Sequence, residues 1–267
     1  MMLFKRVSDS FRHIEGREWA LLCLETLGVL IGILVAFELQ EWAGQRADAA
    51  KHRQLMERLF DESETDVAVL RSMRGVYQEA GATERNFAVA VSAGKCPDEA
   101  AWSAVATVNM YPPLTAPSGV YDELMGAGGL SSIEDSSVRA AIEQFRGNLD
   151  FAARQSEQFH VARSAHANGV AIDDPRVHVR FDPSADEPEI IAYDRKALCA
   201  DSGFRNRMID AVRDHSVIQS RQAALTELAI RMCARLGRLV GGTCTPPDGP
   251  LGAADKATAR KALKAAS

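Results

Sequence analysis

The sequence predicts a mostly α-helical protein: one N-terminal transmembrane helix, then a helical bundle with a small non-helical excursion. Three observations carry this. An apolar run lies between two tryptophans near the N-terminus, Trp19 and Trp42. Apolar residues further on recur every three or four positions, the period of a helix with one buried face. Aromatic residues are scarce, at 6 %, and alanine is abundant, which favours helix over sheet.

The first element is the apolar run, WALLCLETLGVLIGILVAFELQEW. Its uncharged core, Thr26 to Phe37, is 12 residues, which by itself suits a buried core helix as well as a span. The run extends back through Leu24 with only Glu25 interrupting. Trp19 and Trp42 stand 23 positions apart, about 34 Å along a helix, the separation of two interfacial anchors across a bilayer. Apolar residues occupy every face, where a surface helix of a soluble protein shows a stripe. A cleavable leader is excluded. The small-x-small site Ala47-Asp48-Ala49 lies ten residues past the apolar run and beyond Glu38, Glu41 and Arg46.

Within the span, Gly28 and Gly32 form G-x-x-x-G and Ala36 continues the spacing. At about 100° per residue, Gly32 and Ala36 fall within about 20° of Glu25, with Gly28 about 60° to one side. Small residues let a second helix approach closely, and a carboxylate on that face then meets protein instead of lipid. This face predicts a homodimer or a contact with another membrane protein. The competing explanation is chance recurrence of glycine, with Glu25 near enough to the interface to reach water.

Basic residues flank the span equally. Lys5, Arg6, Arg12 and Arg17 precede it; Arg46, Lys51, Arg53 and Arg58 follow. The N-side charges lie slightly closer, which favours a cytoplasmic N-terminus and an extracytoplasmic C-terminal part in a plasma membrane. Of five cysteines, Cys23 is in the span. Cys96, Cys199, Cys233 and Cys244 follow it, with no C-x-x-C and no zinc spacing. They form two disulfides in an oxidising compartment, or are four thiols, some of them buried. The net charge of −5 argues against a nucleic-acid partner.

Gly32-Ile33-Leu34-Val35-Ala36, followed by Glu38-Leu39-Gln40-Glu41-Trp42, resembles the anchor of an uncharacterised family of bacterial single-pass membrane proteins, known as a domain of unknown function. That family carries Asn beside the Trp; here Glu41 and Ala43 flank it. Tyr121-Asp122-Glu123-Leu124, Gly128-Gly129-Leu130-Ser131-Ser132-Ile133 and Val138-Arg139 resemble its downstream pattern, in the same order. The resemblance implies a bacterial inner-membrane architecture, and brings no catalytic residue and no ligand.

The remaining elements follow in order. Residues 1–18 are a flank, 19–42 the span, 43–244 the helical soluble domain and 245–267 a flexible, at most loosely helical, tail. From Gln45 to about Ala80 a charged helix carries the stripe Met56, Phe60, Val67 and Leu70. Thr83–Ala93 and Asp98–Val108 are expected as two shorter helices. Pro112, Pro113 and Pro117 mark a loop. Ser118–Met125 is a short helix stopped by glycines. Asp135 or Ser136 caps a helix running to about Ala167, with Val138, Ile142, Phe145, Leu149 and Ala152 or Ala153 buried. Val177, Val179 and Phe181 alternate with polar residues as a strand or extended loop. Gly203 to about Leu239 is a long helix with Leu225, Leu228, Met232 and Leu239 inward, ended by Gly241 and Gly242.

Catalytic patterns are lacking. Gly126-Ala127-Gly128-Gly129 has neither a preceding strand nor a following Lys-Ser/Thr, so a helix stop explains it better than a phosphate cradle. Glu157-x-x-His160 is half of a di-metal pattern whose second half is missing. His160 and His166 point about 120° apart on one helix. Cys199 beside Asp201 has no base partner. Asp61, Glu62, Glu64 and Asp66 spread around a helix as a solvated surface. No catalytic residue, metal ligand or cofactor is therefore expected. Three functional classes remain: a membrane-anchored interaction, sensory or scaffold protein; a membrane-tethered enzyme with a carboxylate/histidine site, with or without a metal; and a bundle that captures a ligand between its helices.

Overall fold

A computed structural model describes residues 16–108, 114–165, 175–180 and 189–265. The chain is mostly helical and divides into two compact units, one ending at Leu55 and one beginning at Met56. The bundle unit therefore starts at Met56 and not at residue 43. Residues 43–51 are exposed, so they add nothing to its core.

Helix α1, Gly16–Ser92, is a single element of 77 residues. Its first part presents Leu24, Leu27, Leu30, Ile31, Leu34 and Phe37 to the outside, each about half exposed or more. It is long and apolar enough to cross a membrane. Beyond Met56 the helix turns amphipathic: Met56, Leu59, Val67 and Leu70 are buried, and Phe60 is half-buried. The expected break near residue 80 is absent. Gly81 is the point where the Gln219 side chain crosses, and a Cβ there would clash with its amide. The glycine serves close approach between helices, and the buried residues Glu84, Phe87 and Val91 continue the same face. The helix ends at Gly94 (φ 70°), where the Lys95 amide donates to the Ala90 carbonyl.

A 3-10 turn, Glu99–Trp102, leads into the short α2, Ser103–Thr107. Asp98 stands at the cap position but makes no side-chain cap bond. Helix α3, Gly119–Gly126, ends in a turn built on Gly128 (φ 117°) and Gly129 (φ 67°), which a 3-10 turn follows. No strand precedes these glycines among the described residues. Helix α4, Ser136–Ala165, is capped by Asp135, whose Oδ1 accepts from the Ser137 and Val138 amides. Val138, Ile142, Phe145, Leu149 and Ala152 are buried, with Ala153 half-buried.

Strands β1, Val177–Arg180, and β2, Glu189–Tyr193, form an antiparallel pair with an irregularity between His178 and Val179. The partner strand had no alternation to announce it, and Phe181 lies outside the described residues. Helix α5, Arg195–Ala200, and α6, Ser202–Val240, follow, each capped by an aspartate: Asp194 and Asp201. Helix α6 packs against α4 and against α7, Ala253–Lys264. Leu225 and Met232 face inward and Leu228 is half-buried, but Leu239 is 42 % exposed, because the helix is leaving the core as it reaches Gly241 (φ 80°).

The tail expectation is corrected. Residues 253–264 form a packed helix in which Asp255 and Ala262 are buried, as is Leu251 just before it. Asp255 is held by Arg74 (3.3 Å) and Arg71 (3.7 Å) of α1. Proline and alanine-lysine composition hid this anchoring, which depends on arginines some 180 residues upstream.

Candidate functional site

Three sets of residues could carry function: the exposed face of α1, two buried polar centres, and the region of the disulfides.

On α1, Glu25, Gly28, Gly32 and Ala36 are all exposed. Nothing lies within 4 Å of a Cβ built on Gly28 or Gly32, so the small residues leave an open helix surface. Trp42 is 53 % exposed, and the Arg46 guanidinium stacks over its ring at 3.9 Å. Of Trp19 only the helical backbone is described.

The first polar centre joins α1, α3 and α4. Glu62 and Asp66 are one helical turn apart on α1 and are buried, not solvated. Glu62 accepts from the Val120 amide (2.7 Å) and the Tyr121 amide (3.2 Å) at the first turn of α3. It thus does at long range what a local cap does. Arg146 of α4 donates to Glu62 (2.9 Å), Asp66 (3.3 Å) and the Pro117 carbonyl (2.8 Å). Its guanidinium also lies 4.8 Å from the Tyr121 ring centroid. One guanidinium therefore serves two carboxylates. Burial pushes the Asp66 carboxyl up to about 7, against the attraction of Arg146 and with the help of the Glu62 charge.

These contacts explain the downstream sequence pattern. Leu124, Ile133 and Val138 are fully or almost fully buried, and Arg139 donates to the carbonyls of Ile133 and Glu134. The pattern marks where a short helix and its turn seat on α1 and α4.

The second centre lies between α1, α2 and α6. Glu84 Oε2 accepts from His215 Nδ1 (2.6 Å) and Gln219 Nε2 (3.3 Å), and Oε1 accepts from the Thr107 hydroxyl (2.9 Å). The His215 ring lies 5.3 Å from that of Tyr77. Glu84 and His215 are closed to solvent at 0 % and 2 % exposure. A carboxylate–imidazole pair is chemically able to move a proton. Sealed between helices, this one joins them. Sequence reasoning missed it because the partners are 131 residues apart. Each falls on the buried face of its helix, and a charged residue in phase with such a stripe was the available signal.

The cysteines are paired, Cys96 with Cys199 and Cys233 with Cys244. The first bond adjoins the aromatic cluster of Phe87, Trp102, Tyr193 and Phe204, in which Trp102 and Phe204 stack at 6.0 Å. The second ties the chain after α6 back to α6. Asp201, read beside Cys199, caps α6 through the Gly203 amide and pairs with Arg176 (2.9 Å). Arg176 and the amide bonds hold its carboxyl below the usual range. Glu157 is exposed. The side chain of His160 and all of His166 lie outside the described residues. Among the described residues, no group of three or more His, Cys, Asp and Glu is placed to hold a metal.

No family model, no curated protein and no solved structure matches the chain.

Proposed function

We propose that this is a single-pass bacterial membrane protein. The span covers residues 19–42, and the disulfide-bonded helical bundle faces the extracytoplasmic side as an interaction or sensory module. The observation that carries the proposal is α1, which at one end exposes a predominantly apolar run, residues 24–37, broken only by Glu25, and is the amphipathic first helix of the bundle at the other. Soluble monomers rarely expose contiguous apolar patches beyond a few hundred Å². A bilayer is the solvent in which residues 24–39 cost least. The two disulfides support an oxidising compartment for the bundle. The anchor's resemblance to a bacterial single-pass family supports the same architecture.

In this reading Glu25, Gly28, Gly32 and Ala36 form the face that meets a second helix, of another copy or of another membrane protein. The absence of a local partner for this surface in the described chain leaves it open for such contact. Alkaline phosphatase and green fluorescent protein, each fused to the C-terminus, test the orientation. Phosphatase activity without fluorescence is expected, and the reverse overturns the assignment. Crosslinking of the span within the bilayer tests the face: Gly32→Leu is expected to lower association, and unchanged association discards it.

A further inference from the structure

A pocket of about 500 Å³ opens between the C-terminal end of α6, the Cys244 loop and α7. Its volume is within the small-molecule range of about 300–1,000 Å³, and it is too small for a two-chain phospholipid. On α7, Lys256, Ala259, Arg260 and Leu263 follow the spacing i, i+3, i+4, i+7, so one face of the helix lines the space. Ala234 and Arg238, one turn apart on α6, line the opposite wall, with Leu251 and Cys244 between.

The lining has a definite chemistry. It is mostly apolar, it carries three cations, and it includes no carboxylate. This reverses the balance of the whole chain, in which Asp and Glu outnumber Lys and Arg by 36 to 31. Arg238 is already engaged: it donates to the Leu263 carbonyl (3.3 Å) and lies 3.8 Å from Asp135. The first contact fixes the α6 wall against α7, and the second ties it to the start of α4. Lys256 and Arg260 are exposed at the rim. Ala234, Cys244 and Leu251 are buried and form the apolar floor. The Cys233–Cys244 bond holds that floor to α6.

We propose that this pocket binds a soluble, single-chain amphipathic carboxylate. Lys256 and Arg260 receive the carboxylate, and the chain lies over Ala234, Leu251 and Leu263. Charge complementarity sets the head group, the apolar floor sets the body, and the volume limits the ligand to one chain. The pocket lies within the bundle unit, so the proposal does not depend on the membrane assignment.

Octanoate is the probe. It is titrated calorimetrically into the full-length protein in zwitterionic nanodiscs, with protein-free nanodiscs subtracted. If the chain proves soluble, the same titration runs in buffer. One saturable site is expected, with octanol bound about tenfold more weakly or worse. Lys256→Glu with Arg260→Glu is expected to weaken octanoate by a similar factor. Ala259→Trp, which fills the space and keeps both charges, is expected to abolish the site. Unchanged thermal unfolding of the variants shows that they are folded. Absence of saturable binding to the wild type overturns the proposal. So does equal affinity for octanoate and octanol, or undiminished octanoate binding by either variant.

Discussion

Asp66 and Glu84 are both buried carboxylates on α1, and their surroundings differ. Asp66 shares one guanidinium with Glu62, so desolvation prevails and its carboxyl is raised to about 7. The folded state then keeps a proton that the unfolded chain releases near 3.8. The contribution of this group to stability is therefore greatest at low pH and declines as pH rises from 3.8 to about 7. Asp66→Asn supplies a neutral isostere. It is expected to flatten that part of the profile, read as denaturant midpoints between about pH 4 and 8. Asp135 and Asp201 are lowered by their hydrogen bonds, so their contributions are present above the usual carboxylate range and disappear only as pH falls through it. Glu84 meets three donors, from His215, Gln219 and Thr107. Glu84→Ala leaves a buried imidazole without its acceptor and is expected to cost about 3–5 kcal/mol, the usual range for breaking a buried pair on one side. Glu84→Leu combined with His215→Phe is expected to recover part of that loss, because both polar groups leave together. A double-mutant cycle on unfolding free energies measures the coupling.

The elements of the bundle are positioned by contacts remote in sequence. Helix α3 has eight residues, too few to persist alone in water, and it is seated by Glu62 under its first turn and by Leu124 in the core. Helix α7 is fixed by Arg71 and Arg74 acting on Asp255. The disulfides differ in the loops they close, with separations of 103 and 11 residues. Where unfolded-chain entropy dominates, the longer loop gains about 4–5 kcal/mol and the shorter about 3 kcal/mol. Cys96→Ser with Cys199→Ser is therefore expected to lower the unfolding free energy more than Cys233→Ser with Cys244→Ser. Denaturant unfolding of the two double variants ranks them. Gly237 and Gly242 impose a packing limit at the end of α6: a Cβ on either would come within 3.1 Å of the Phe60 ring. The chain there turns back at the distance glycine permits.

For the whole molecule, the division at Met56 separates a segment in which residues 24–51 are exposed from a unit with its own core. Both disulfides lie within the second unit. A chain starting at Met56 is expected to be soluble without detergent and to retain helical circular dichroism and both disulfides. The full chain is expected to need detergent or lipid. Size-exclusion chromatography with and without detergent, and thiol counting after denaturation, check this. Aggregation of the shorter chain would show that the first unit contributes to the fold of the second.

The apolar helix, the amphipathic stripe of Met56, Val67 and Leu70, the buried face of α4 and the glycine stops at Gly128 and Gly241 were legible in the sequence, because they follow from local periodicity and backbone preference. So were the start of α4, with Asp135 or Ser136 as its cap, and the helical character of residues 203 to about 239. The pairing of the cysteines was not, since spacing does not specify connectivity. Nor was the continuity of α1 through Gly81, where a close crossing with Gln219 outweighs helix propensity. Tertiary contact alone turned Glu62 and Asp66 inward and brought Glu84 to His215. It also docked residues 253–264 to leave the cationic, apolar-floored pocket. The physical reason is common to all of these. Periodicity fixes which face of a helix is apolar, but a buried charge is tolerated only where distant residues supply its partners, and only the folded chain determines which residues those are.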